Sequence, residues 1–126
     1  ASRYLLREGG REEAQVSSGF WVGTPAGSTG AIHSAGGRVL PLTAEKLQLV
    51  VREPLVSRGA PLRMTRLVVG RESPVVAVSK MRDACLFLDG PFIRAPVRLG
   101  DRVTFSLSRE PLLLLGVASR RGRGAR

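Results

Sequence analysis

The residues best suited to chemistry lie in one segment, GTPAGSTGAIHSAGG, from Gly23 to Gly37. It follows a short apolar run and interleaves glycine with small hydroxyls. A glycine-rich turn between a strand and a helix start offers free backbone N–H groups, and the helix dipole there favours negative charge. Glycine also permits φ values and a closeness of approach that other residues resist. Such a loop can hold a polar ligand against backbone and hydroxyls. It is not a phosphate loop of the G-x-x-x-x-G-K-[S/T] type, because no lysine is present to reach terminal phosphates, and G-x-G-x-x-G is not matched either. On the residues alone, a tight structural turn stays open as the other reading.

The remaining candidates are few. With one histidine, His33, and one cysteine, Cys85, a protein zinc site is not expected. A single cysteine forms no internal disulfide, which fits a reducing compartment; its strand pattern predicts that it faces the core. Asp89 is the best carboxylate candidate, although Asp89-Gly90 is equally a turn dipeptide. Arg52 could neutralise a phosphate or pair with Glu53. No Ser–His–Asp partnership is readable. The net charge of +10 and a pI of about 11.6 suggest an anionic partner: nucleic acid, phosphorylated metabolite or membrane surface. Four arginines fall in SRRGRGAR, residues 119–126, which reads as a basic, disordered tail.

These residues must be positioned by short elements. The 126 residues suit one domain, and no apolar run approaches the roughly 20 residues of a membrane helix. The charged N-terminus shows no apolar leader segment, which points to the cytoplasm. Gly and Pro punctuate β-rich runs over Gly19–Thr24, Leu47–Arg52, Arg66–Gly70, Pro74–Ser79, Ala84–Leu88, Phe92–Leu99 and Arg102–Ser108. In the last, Val103, Phe105 and Leu107 alternate with polar residues, the period of a half-buried strand. Pro111–Val117 reads as a final apolar strand or core segment. A short helix is predicted over Ser28–Ala35, capped by Ser28 or Thr29; Trp21 and Phe20 must face opposite sides. The fold class expected is mainly β, a two-sheet sandwich with one short helix, spanning residues 1–117 with 1–16 flexible and 118–126 as the tail.

The segment TPAGSTGAIHSAGG resembles a motif of NAD kinases. The order SSGFWVGTPAGSTGAIHSAGG, LPLTAEKLQLVVREP and ACLFLDG is similar to that of the plant-type NADH kinase branch, and covers most of residues 17–115. The resemblance implies the C-terminal β domain of an enzyme that moves a phosphate from ATP or polyphosphate, with magnesium, onto the adenosine ribose 2′-hydroxyl of NAD or NADH. It further implies that Thr29, Gly30, Ala31 and Ser34 line the dinucleotide pocket, with Ser18 contributing from across a subunit boundary in a homo-oligomer. A loop that holds a nucleoside needs no lysine. Two departures stand out: Gly30-Ala31 replaces a common Ala-Tyr, and Ser18-Gly19 replaces a common Asp-Gly.

The family's GGDGT segment and Asn-Glu pair are not in this chain. No catalytic residue and no metal ligand is therefore expected here; the chain alone would be inactive and would need an N-terminal α/β domain. On this reading membrane and nucleic acid are not partners. Two alternatives are a lipid-kinase-like domain of the diacylglycerol or sphingosine type, whose substrate wants an apolar slot, and a non-enzymatic Arg-rich β module that binds nucleic acid.

Overall fold

Residues 2–17, for which the sequence predicts no element, form an antiparallel hairpin. Strands β1 (Ser2–Glu8) and β2 (Arg11–Ser17) pair over their whole length. Gly9 and Gly10 join them with φ of 55° and 79°, the two left-handed residues that a tight hairpin turn demands. Tyr4 and Leu6 point to the core while Arg3 and the turn stay outside. The expectation that residues 1–16 are flexible is thereby corrected. The computed structural model describes residues 1–113 and 115.

The later strands follow the predicted runs: β3 (Gly19–Gly23), β4 (Leu47–Arg52), β5 (Arg66–Val69), β6 (Val75–Ser79), β7 (Ala84–Leu88), β8 (Ile93–Val97) and β9 (Arg102–Phe105). They form a four-stranded sheet in the order β2-β1-β6-β9, a three-stranded sheet β3-β4-β5 and the separate pair β7-β8, with every pairing antiparallel. The two larger sheets share one core. Tyr4, Leu6, Val75 and Ala77 from the first meet Leu47, Leu49, Val51, Leu67 and Val69 from the second, with Met64 between strands. The period-two pattern of each strand dictates which residues do this. Phe20 bridges the layers edge-on, 5.0 Å from Tyr4 and 5.8 Å from Phe105 between ring centroids. The fold is mainly β and two-sheeted, as expected, with a third, smaller sheet added.

Polar groups fix the ends. The Tyr4 hydroxyl and Ser17 Oγ lie 2.6 Å apart; burial pushes the phenol up, partly offset by that hydrogen bond. The Glu13 carboxylate accepts the backbone N–H groups of Arg63 and Met64, both at 2.8 Å, tying the hairpin to the approach to β5. The Glu8 carboxyl accepts bonds from Ser73 Oγ and Arg11, and these hold it below the ordinary carboxylate range.

The described residues beyond Phe105 lie outside the sheet. Leu112, Leu113 and Leu115 are exposed and lie in no strand, so the described residues of Pro111–Val117 do not form the expected apolar strand. The rest of that segment, and the basic tail over residues 118–126, lie outside the described residues. Among the described residues, no helix is long and apolar enough to cross a membrane.

Candidate functional site

The glycine-rich loop lies on the outer face of the second sheet. Alternation puts Leu49 of β4 in the core and Gln48 and Val50 on the opposite face, yet both of the latter are fully buried. Ile32 and Leu40 of the loop are also buried outside the main core. The loop is therefore a third layer with a small core of its own.

Its local structure differs from the predicted helix over Ser28–Ala35. A 3₁₀ turn spans Pro25–Gly27 and a single helical turn, α1, spans Ala31–Ser34. Gly30 occupies the N-cap and no side chain caps it, so neither Ser28 nor Thr29 plays that part. Ser28 is instead a buried latch: its hydroxyl donates to the Pro25 carbonyl at 2.7 Å and accepts the Leu40 N–H at 2.9 Å. Gln48, 1% exposed, clamps the far end. Its amide accepts from Arg38 N at 2.7 Å and donates to Arg38 O at 2.8 Å.

Two glycines make room for Ile32, which is 4% exposed. A Cβ on Gly23 would lie 2.5 Å from Ile32 Cδ1, and one on Gly37 would lie 2.6 Å from Ile32 Cγ2 and 2.8 Å from its carbonyl oxygen. No such reason holds at Gly27 or Gly30, where the nearest atom would be 3.9 Å away or farther. Neither this division nor the part of Gln48 was anticipated, although a lone amide inside LQLVV is a signal for a buried polar group with a fixed partner.

What the latch, clamp and Ile32 leave outside is Thr29, Gly30, Ala31, His33 and Ser34, all exposed. The Thr29 and Ser34 hydroxyls make no hydrogen bond to any described residue. The backbone N–H of Ser34 closes the turn on Gly30 O at 3.1 Å, whereas those of Thr29, Ala31 and Ile32 sit at the start of the short helix. The segment thus presents two unengaged hydroxyls and a side-chain-poor backbone stretch on a rigid support.

Ser18 and Arg52 lie elsewhere. The Ser18 N–H donates to the Arg52 carbonyl at 2.9 Å, before β3 begins. The loop starts where β3 ends, about 17 Å away at some 3.3 Å per residue. The Arg52 guanidinium stands 5.3 Å from the Trp21 ring centroid and Nε lies 3.8 Å from a Glu53 carboxylate oxygen, so it has both a cation–π partner and a loose ion pair. Phe20 is in the core and Trp21, 40% exposed, is outside. Ser18, Arg52, Trp21, Phe20, Leu86 and Phe105 line a mostly apolar cavity of about 740 Å³ between the sandwich and the β7–β8 hairpin.

Asp89 lines neither site: with φ of 51°, followed by Gly90 at 112°, it shapes the β7–β8 turn. Cys85 is exposed, against the expectation of a core position, because Ala84 and Leu86 are the more buried residues on this strand. Among the described residues no three of His, Cys, Asp and Glu converge as metal ligands.

No family model matches the chain. It is 35% identical over 97 residues to a probable NADH kinase of Oryza sativa subsp. japonica and 36% identical over 98 residues to an NADH kinase of Arabidopsis thaliana. Each match covers 77% of this chain and 30% of the relative, so the chain spans under a third of their length. Among solved structures, an NAD kinase from Archaeoglobus fulgidus in complex with ATP superposes with a TM-score of 0.65 at 27% identity, covering 86% of this chain and 40% of that one. The sandwich, the loop layered on its outer face and these similarities agree: the chain is a domain of the NAD kinase family, corresponding to its C-terminal β domain.

Proposed function

We propose that this chain is the dinucleotide-binding domain of an NAD(H) kinase, in which Thr29, Gly30, Ala31 and Ser34 receive the adenosine part of NAD or NADH. The observation that carries this reading is the division of labour in the loop. Ile32, Ser28 and Gln48 fix it from below, while the Thr29 and Ser34 hydroxyls stay unengaged above. A hydroxyl can donate and accept, which suits ribose and adenine edges, and a rigid support lowers the ordering cost of binding.

In this reading the reaction is transfer of a phosphate from ATP or polyphosphate to the adenosine ribose 2′-hydroxyl. In-line transfer needs positioning and charge neutralisation of the phosphates. The parts for that step, magnesium ligands included, would come from an N-terminal α/β domain, and this chain supplies the acceptor's seat. Ser18, about 17 Å from the loop along β3, would serve a dinucleotide held by a neighbouring subunit of a homo-oligomer, with Arg52 beside it; Asp89 has only its turn role. The enzyme would act in the cytoplasm.

The test is a titration of the chain, and of the full-length protein, with NAD and NADH, followed by NMR or calorimetry. Saturable shifts centred on residues 29–34 are expected. Thr29→Ala and Ser34→Ala should each weaken binding about 3–10-fold, the loss of one hydrogen bond, without changing the melting temperature. Unchanged dinucleotide affinity in both full-length variants would defeat the assignment.

A further inference from the structure

We propose that one end of the first sheet is a docking surface for a single-stranded nucleic acid, gripped through its phosphates. The backbone there is tightly knotted: Lys80 N donates to Arg3 O at 3.0 Å, Ser79 N to Asp101 O at 2.9 Å and Gly100 N to Ser79 O at 2.9 Å. This brings five exposed cations together: Arg3, Lys80, Arg82, Arg98 and Arg102. The Lys80–Arg3 hydrogen bond lies one step past the Tyr4–Ser79 pair at the end of the β1–β6 ladder, and Arg102 of β9 lies opposite Val78 of β6. None of the five forms an ion pair with a described residue; the pairs that exist involve Arg7, Arg11, Arg52 and Arg71. The carboxylates in this knot are Asp83 and Asp101, and an Asp101 oxygen is engaged by the Arg98 backbone N–H at 2.8 Å. Residues 116–126 carry no Asp or Glu that could compensate. Cations gathered within about one Debye length repel one another unless an anion joins them.

The shape selects the anion. The patch is the end of a sheet and, among the described residues, presents no helix to enter a duplex groove. Neighbouring strands lie about 4.8 Å apart, so successive cations can follow a flexible phosphate backbone. No aromatic side chain is among the five cations, so the phosphates carry the grip and binding should be largely indifferent to sequence. Leu99 is the one exposed large apolar side chain on the Arg98–Arg102 turn, too little to anchor a membrane surface. Arg3 also lines the cavity that holds Ser18 and Arg52, but Lys80, Arg82, Arg98 and Arg102 do not, and the surface stands without the dinucleotide reading.

The experiment is fluorescence anisotropy of a fluorescein-labelled oligouridylate with the full chain, across potassium chloride from about 50 to 200 mM. Five cations predict a slope of log K against log salt near −3.5, at about 0.7 per phosphate on a single strand. Arg82→Glu/Arg98→Glu/Arg102→Glu should bind at least about tenfold more weakly than Arg38→Glu/Arg58→Glu/Arg63→Glu, which has the same net charge, and its slope should fall to about −1.4. If the first triple variant loses its fold, Lys80→Gln/Arg82→Gln is expected to lose about fivefold and decides the matter. Equal losses in the two triple variants would mean net charge alone and would overturn the proposal. So would wild-type binding by the patch variant, or patch-dependent capture by anionic phospholipid vesicles with no binding of the oligonucleotide.

Discussion

Replacing Gly23 by alanine should break the loop's footing through one methyl group. Among the described residues, its chain neighbours aside, the heavy atoms within 4 Å of a Cβ at this position belong to Ile32: Cδ1 at 2.5 Å and Cγ1 at 3.9 Å. Gly23 has no positive φ, so alanine suits the backbone and the conflict is purely one of space. Ile32 is buried, and moving its terminal methyl means leaving its rotamer or lifting α1. Overpacking of this kind costs about 1–3 kcal/mol. Ile32→Val removes Cδ1 and by itself should cost about 0.5–1.5 kcal/mol. In the double variant the nearest contact returns to the ordinary 3.9 Å, and the alanine methyl fills part of the space vacated. Gly23→Ala/Ile32→Val should therefore be about as stable as Ile32→Val alone, with a coupling of about 1–3 kcal/mol in favour of the pair. Urea denaturation of the four proteins measures the cycle, and amide exchange over residues 31–40 tells whether the loss is global or confined to the loop. Additivity within about 0.5 kcal/mol, by both measurements, would refute the account of why glycine stands there.

Other outcomes follow from the same contacts. Gln48→Leu keeps the bulk but strands the Arg38 N–H and C=O, and should cost about 2 kcal/mol in urea denaturation, whereas Gly27→Ala, with open space at Cβ, should be nearly neutral. Ser73→Ala removes a bond to the Glu8 carboxylate. Because that carboxyl is held low in the fold, the bond's contribution is present above the unfolded carboxyl's pKa of about 4.3 and fades as pH falls through the folded value. The variant should thus be about 1 kcal/mol less stable at pH 7 and indistinguishable from wild type in strong acid, checked by denaturation across pH. Arg52→Ala should shift the emission of Trp21, the sole tryptophan, at a cost under about 1 kcal/mol.

Most strands were legible as short β-rich runs set off by Gly and Pro: Leu47–Arg52 and Ala84–Leu88 match the predicted runs residue for residue. The first hairpin was not, since its outer face is so charged that REEAQ hides the alternation of Tyr4 and Leu6, though Gly9-Gly10 was a readable turn signal. Cys85 was misassigned because an all-apolar run, ACLFL, carries no parity of its own; the register against β8 sets it. The loop stood out by its glycines and hydroxyls, but its mechanics were not readable. Ser28 looked like a cap and is a latch, and Gln48 lies in a strand whose outer face is buried only because the loop returns over it. The basic patch joins residues 3, 80, 82, 98 and 102, a neighbourhood that exists only after the strands pair.

The layering of the loop has a consequence for how this domain can change over generations. Ile32, Ser28, Gln48, Gly23 and Gly37 hold the segment in place, whereas Thr29, Gly30, Ala31 and Ser34 touch little besides solvent. Under the proposed binding role, ligand preference and foldedness are written in different letters of a single fifteen-residue word. Substitutions among the outward letters can explore new specificities with the scaffold intact, and the departure at Gly30-Ala31 falls among the letters that are free to drift.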